Sequence, residues 1–242
     1  TARRWLEVDP DPETRAETEH LLDAGGDELD DRFGGRLVFG TAGIRGRRGA
    51  GPMRMNRVLV RSVATAVAEV LLTTAKSDPP LVVVGFDARH QSDTFAADTA
   101  RVLAARGVGS LVLPGPLPTP VLAYAVLESG ADAGVMATAS HNPAADGGYK
   151  VYWADGAQIV PPIDEKISAA IDDACLPSDD DLADADHPLI GRADDTVTDH
   201  YVDVAASVVR PGGPRRLSVV YTPLHGVGRD VLDAAFERAG FD

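Results

Sequence analysis

Two kinds of run alternate along the 242-residue chain. Leu81–Phe86 is a continuous apolar run with the character of a parallel strand covered on both faces, and Val108–Leu113 and Ala133–Met136 read as further strands, the latter short and buried. Between them lie segments whose apolar residues recur every three or four positions, the spacing of an amphipathic helix. Val58, Leu59, Val63, Val67, Val70 and Leu71 form one such stripe, opened by Asn56 as N-cap and stopped by Ser77-Asp78-Pro79-Pro80. A second helix starts with Ser92 as its cap and closes at Gly107, and a third runs from about Val121 to Gly130. With a strand start at Leu37-Val38-Phe39, the order alternates strand and helix up to the strand at 133–136. That alternation predicts an α/β fold with right-handed crossovers and a mixed, mostly parallel sheet carrying helices on both faces.

The flanks read differently. Residues 1–36 are polar and acidic, with Trp5, Leu6, Leu21, Leu22 and Leu29 near helical spacing, and form a helical leader. After Lys150, Val151-Tyr152-Trp153 and Gln158-Ile159-Val160 flank Ala154-Asp155-Gly156 as a hairpin, and Pro161-Pro162 opens a helix reaching Cys175. The Pro- and Asp-rich stretch Pro177–Pro188 reads as a solvated linker, so residues 37–189 form one domain and 190–242 open a second. There a helix over Thr196–Val209 precedes a strand at Leu217–Tyr221, a turn through Gly228 and a helix over Val231–Ala239. One βα unit cannot bury its own apolar face, so the second domain reads as cut short.

Charge narrows the partners. A formal net charge of −14 argues against nucleic-acid or anionic-membrane binding. Lysine is confined to Lys76, Lys150 and Lys166, which makes the cation beside the 137–143 loop informative. The lone Cys175 excludes an intramolecular disulfide and a cysteine-based metal cluster, and reads as a bystander. No stretch approaches the ~20 apolar residues of a membrane span, and no signal-peptide core follows Thr1, so a cytoplasmic location is expected.

Candidate chemistry gathers at strand ends. The run 133–136 ends in Ala137-Thr138-Ala139-Ser140-His141-Asn142-Pro143, where Pro143 stiffens a turn carrying a hydroxyl, an imidazole and an amide. Such loops sit where open α/β sheets place their ligands. Leu37–Gly49 combines glycines with Arg45, Arg47 and Arg48; it suits phosphate oxygens, and otherwise is a basic surface turn. Phosphoryl transfer through Ser140, serine hydrolysis and a non-catalytic phosphate-binding module all compete. Hydrolysis is weakest, because no Gly-x-Ser-x-Gly elbow is present and His141 directly adjoins Ser140. Phosphoryl transfer needs positioning, neutralisation and a proton relay, which Ser140, Arg45, His141 and Lys150 could supply.

The 137–143 loop closely resembles the phosphoserine signature of the α-D-phosphohexomutases, the phosphoglucomutase/phosphomannomutase family. Phe39–Gly46, Phe86–Arg89, Pro118-Thr119-Pro120, Gly148-Tyr149-Lys150 and Thr222-Pro223-Leu224-His225-Gly226 fall in the family's order. Gly148–Ile159 is similar to the branch containing phosphopentomutase-like and glucose-1,6-bisphosphate-forming members. The resemblance implies an isomerase-class enzyme that interconverts sugar 1- and 6-phosphates through a phosphoserine and a bisphosphate intermediate. By matching positions, Ser140 would carry the phosphoryl group, Arg45 would contact it, and His141 and Lys150 would move protons. Thr41, Gly43, Arg45, Arg89 and Asn142 would bind phosphate or substrate. The implied cofactors are Mg²⁺, held by a phosphoserine oxygen and three aspartates lying beyond residue 242, and a sugar bisphosphate activator such as glucose 1,6-bisphosphate. Asp179-Asp180-Asp181 does not stand in for that metal loop, and Gly147 replaces an Asn common among relatives. The implied partners are a small phosphosugar and the missing C-terminal domains, without which the chain is expected not to turn over.

Overall fold

Three apolar runs become the parallel heart of a six-stranded sheet in the computed structural model, which describes residues 1–41, 43–173 and 176–241. The strands are β1 (Ile44–Arg47), β2 (Leu81–Phe86), β3 (Gly109–Pro116), β4 (Ala133–Ala137), β5 (Asp146–Trp153) and β6 (Ile190–Arg192), in the order β1-β5-β4-β2-β3-β6. β4, β2, β3 and β6 pair in parallel, while β5 runs antiparallel to both β4 and β1. The sheet is mixed and mostly parallel, as the alternation predicts.

Side-chain parity explains why these runs are apolar throughout. Val82, Val84, Val135, Tyr149 and Val151 face a core shared with α4 (Arg57–Thr74), α5 (Ser92–Ala105) and α7 (Ile163–Asp173). Their neighbours Val83, Met136 and Tyr152 face a second cluster with α6 (Thr119–Ser129). A strand buried on both faces has no polar side to offer. Asn56 caps α4 as expected: its Oδ1 accepts the Leu59 amide at 2.9 Å while its amide nitrogen donates to the Gly49 and Gly51 carbonyls. Ser92 does not cap α5; Gln91 holds that place with φ of 65°, and the Ser92 hydroxyl donates to Asp87 instead.

The leader forms α1 (Ala2–Val8), α2 (Pro12–Ala24) and α3 (Asp27–Phe33), bound to the domain by specific contacts. Trp5 is buried edge-on to Phe33, Glu17 accepts the Ala50 amide at 2.6 Å, and Gln91 donates to Asp11 at 2.5 Å. The 177–188 linker is pinned as well as solvated. Arg61, fully buried on α4, bonds Asp179 at 2.7 Å, and Arg101 holds the Ala183 carbonyl.

Several boundaries depart from the sequence reading. No strand forms at Leu37–Phe39; ladder pairing begins at Ile44. The hairpin's second arm shrinks to one bridge, Tyr152 to Gln158. The three-residue β6 escapes any pattern, yet it carries the sheet past residue 189, where the sequence divides the chain. Leu217–Tyr221 is not a strand: it lies exposed, with Val220 fully so, because no neighbouring strand among the described residues satisfies its backbone. The helices α8 (Thr196–Ser207) and α9 (Arg229–Arg238) do form, and pack through Val202 and Val231 onto Val121 of α6. The expected bystander Cys175 lies outside the described residues. Among the described residues, no helix is long and apolar enough to cross a membrane.

Candidate active site

The serine loop is the connection between antiparallel neighbours. Residues 138–145 join β4 to β5, and the Thr138 amide still bonds the Gly148 carbonyl at 3.0 Å before the chains part. Alongside, β2 ends at Phe86, so Asp87 emerges next to the loop and bonds the Ala137 carbonyl through its amide. Asp87 then becomes a hub. Its Oδ2 accepts the Thr138 hydroxyl at 2.6 Å, and its Oδ1 accepts the Ser92 hydroxyl at 2.8 Å and the Arg89 amide at 3.0 Å. The Thr138 oxygen in turn accepts the Ser140 amide at 2.9 Å. Ser140 is thereby held with φ of 57°, a left-handed conformation that β-carbon sterics disfavour.

Arg89 completes this frame. Its Nη1 donates to the Pro143 and Asp146 carbonyls at 2.8 and 3.2 Å, and its Nη2 to those of Ser140 and Asn142 at 2.9 and 2.8 Å. Its Nε stands 3.3 Å from Asp87 Oδ2. All three guanidinium nitrogens are engaged with the protein, so Arg89 shapes the loop where the resemblance implies a phosphate contact. Arg48 ties the same loops together from the other side, reaching the His90 and Ala144 carbonyls.

A basic ribbon adjoins the loop. Arg45 pairs with Gly148 across β1 and β5, and Lys150 lies two residues further along, so the two cations share a face. Glycine is needed where the ribbon meets the loop: a β-carbon at Gly148 would stand 2.5 Å from the Thr138 carbonyl oxygen. Gly43, with φ of 80°, approaches so closely that a β-carbon would lie 2.0 Å from the Tyr149 oxygen. Burial pushes the half-buried Lys150 ammonium below the usual lysine range, Arg45 pushes it the same way, and Asp87 pulls it back. Thr41 occupies the exposed turn bracketed by the mutual Gly40–Gly43 backbone bonds.

Ser140, His141, Asn142 and Arg89 meet in a cavity of about 610 Å³, within the size range of small-molecule sites. Thr41, Gly43, Arg45 and Lys150 lie outside its walls, on or beside the ribbon. Ser140 Oγ is 3.5 Å from His141 Nδ1, and the Asn142 amide donates to Asp146 at 2.9 Å. No carboxylate orients His141 among the described residues, so a hydrolytic triad is not assembled. A metal set is likewise not assembled: no group of three or more His, Cys, Asp or Glu converges among the described residues, and both Asp87 oxygens are taken. These residues alone do not fit a Mg²⁺ ion. The sequence singles out neither Thr138 nor residues 223–227, which sit in or beside family motifs, and offers Arg48 only as one of three loop arginines suited to phosphate; the fold shows what each touches.

A strained serine thus lies at the carboxyl end of β4, in a cavity lined by Arg48, Arg89 and three histidines. Residues 36–176 match the family model for phosphoglucomutase/phosphomannomutase, alpha/beta/alpha domain I, and the chain belongs to this family. It is 44% identical over 191 residues to the "Probable phosphomannomutase" of Haemophilus influenzae, covering 78% of this chain and 38% of the relative. It is 36% identical over 253 residues to the glucose 1,6-bisphosphate synthase of Homo sapiens, covering 98% of this chain and 40% of the relative. The fold superposes with a TM-score of 0.64 on a phosphoglucomutase/phosphomannomutase family protein from Burkholderia thailandensis, at 24% identity over 85% of this chain and 42% of that one. The chain thus spans about two fifths of the length of these relatives.

Proposed function

We propose that this chain is the phosphoryl-carrying portion of a phosphosugar mutase that interconverts sugar 1- and 6-phosphates. The observation that carries the reading is Ser140, fixed in a left-handed turn by Thr138 and Arg89 at the edge of a cation-rich cavity. In the transfer, the bond from phosphoserine Oγ to phosphorus breaks as a sugar hydroxyl oxygen bonds phosphorus; the hydroxyl proton passes to a base, and the leaving Ser140 Oγ takes a proton from an acid. Return from the other position of the bisphosphate restores the phosphoserine. His141 is the acid–base group nearest Ser140 Oγ, and the acidified Lys150 beside Arg45 gives the ribbon a second group able to move a proton.

Mg²⁺ would neutralise phosphoserine charge, with protein ligands other than the described residues. In this reading residues 1–36 are a leader, the first domain ends after Arg192 of β6, and the remainder opens a second domain. The substrate is a small phosphosugar met in the cytoplasm, with a bisphosphate such as glucose 1,6-bisphosphate as activator. The human relative's name supports a second reading, synthesis of that bisphosphate as a product; a pentose phosphate is the alternative substrate, as the name of a mouse relative, "Phosphopentomutase", suggests.

Intact-mass and peptide mass spectrometry of protein purified from cells tests the core of the reading. One phosphate is expected on Ser140, absent in Ser140→Ala. A phosphate located elsewhere, or none after incubation with glucose 1,6-bisphosphate, overturns it.

A further inference from the structure

The turn 223–227 lines the same cavity as Ser140 and His141. The functional reading above gives it no task, yet the backbone is specialised there. Three non-glycine residues adopt positive φ among the described residues: Gln91 at 65°, Ser140 at 57° and Leu224 at 51°. Ser140 and Leu224 line this one cavity, and Gln91 follows its lining residue His90. Backbone strain of this kind gathers where geometry serves a site. Leu224 is held by its own amide donating to the Thr222 hydroxyl at 3.0 Å, and the Gly226 amide closes the turn on the Pro223 carbonyl at 2.7 Å.

The chemistry of the walls is one-sided. Three of the chain's six histidines, His90, His141 and His225, line the cavity together with Arg48 and Arg89. Its one lining carboxylate, Asp87, already accepts four bonds or ion-pair contacts from the protein. In a chain of net charge −14, such a cavity selects an anion. His225 is exposed and has no hydrogen-bond or ion-pair partner among the described residues. It is therefore available to a ligand in the cavity.

We propose that His225 is a ligand-binding residue of this site, donating a hydrogen bond to a phosphoryl oxygen of the phosphosugar in the cavity it shares with the Ser140 loop. The inference rests on the reading of the cavity as a phosphosugar site. It assigns part of that site to the chain's C-terminal segment.

The test is a titration of the ¹⁵N,¹³C-labelled chain with glucose 6-phosphate, with inorganic phosphate run in parallel. The His225 ring resonance and the Asn142 amide are expected to shift with one midpoint. His225→Ala should raise that midpoint about tenfold, the loss of one charge-assisted hydrogen bond. His225→Gln, which keeps a donor, should recover part of the affinity, and His20→Ala on the exposed face of α2 should change nothing. A His225 resonance that stays still while Asn142 moves overturns the assignment and leaves the cavity reading intact. If neither moves, both readings fail.

Discussion

Replacing Arg89 by lysine tests whether this side chain holds the serine loop or binds its ligand. Four carbonyls of residues 140–146 converge on its guanidinium, and two of those bonds, to Asp146 and Asn142, are partly buried. Bonds from a charged donor contribute about 1.5–3 kcal/mol each, and the two exposed ones are discounted because water replaces them. Lysine keeps the charge but lacks the fork, so about two bonds, or roughly 3 kcal/mol, are lost from the loop. The left-handed Ser140 costs roughly 1–2 kcal/mol, less than this, so the substitution removes what outweighs the strain. Native-state hydrogen exchange reads the effect at Ser140, Asn142 and Asp146, whose amides bond within the loop. Exchange there should speed up on the order of a hundredfold, while amides of β2 and β4 stay protected. Rates within threefold of the parent at all three amides would refute the framing role. A loss of phosphate affinity without faster exchange would make Arg89 a ligand contact after all.

Charged groups supply the remaining tests. Asp98 is buried and receives both Arg57, in a bidentate pair at 2.7 and 2.8 Å, and Arg61, so Asp98→Asn should destabilise the fold by about 3–5 kcal/mol in urea unfolding. A change under about 1 kcal/mol would show that Asp179 suffices for the buried Arg61. Lys150, whose pKa burial and Arg45 both lower, binds fewer protons folded than unfolded between its folded pKa and 10.5, so its shift makes stability rise with pH across that window. In Arg45→Ala the Lys150 midpoint, followed by NMR of the ¹³C-labelled side chain, should move upward; a downward move would reject the proximity argument.

Much of the sheet is legible because burial on both faces leaves a continuous apolar run, as in Leu81–Phe86, bounded by turn residues. Asn56 was legible for a local reason, since a cap bonds an amide three residues away. By contrast, β6 owes its existence to β3, and three residues with one glycine carry no period of their own. Leu217–Tyr221 shows the converse: strong strand chemistry without a neighbour stays unpaired. At the site, the resemblance named Ser140, His141 and Asn142, which the cavity brings together, along with Arg45 and Lys150, which share the adjoining ribbon. It could not say that Arg89 would turn its donors toward carbonyls, because backbone acceptors leave no trace in side-chain identity. Thr138 was hidden similarly, since its work lies in joining Asp87 to an amide.

The bond from Gln91 to Asp11 gives the leader a meaning that its polar composition hides. Asp11 caps α2 with one oxygen and restrains Gln91 with the other, and Gln91 follows directly on Arg89 and His90. The first two helices therefore act as a splint on the turn that aims those residues. A change near the amino terminus thus reaches, through Asp11 and Gln91, the turn that carries Arg89, whose guanidinium frames the serine loop.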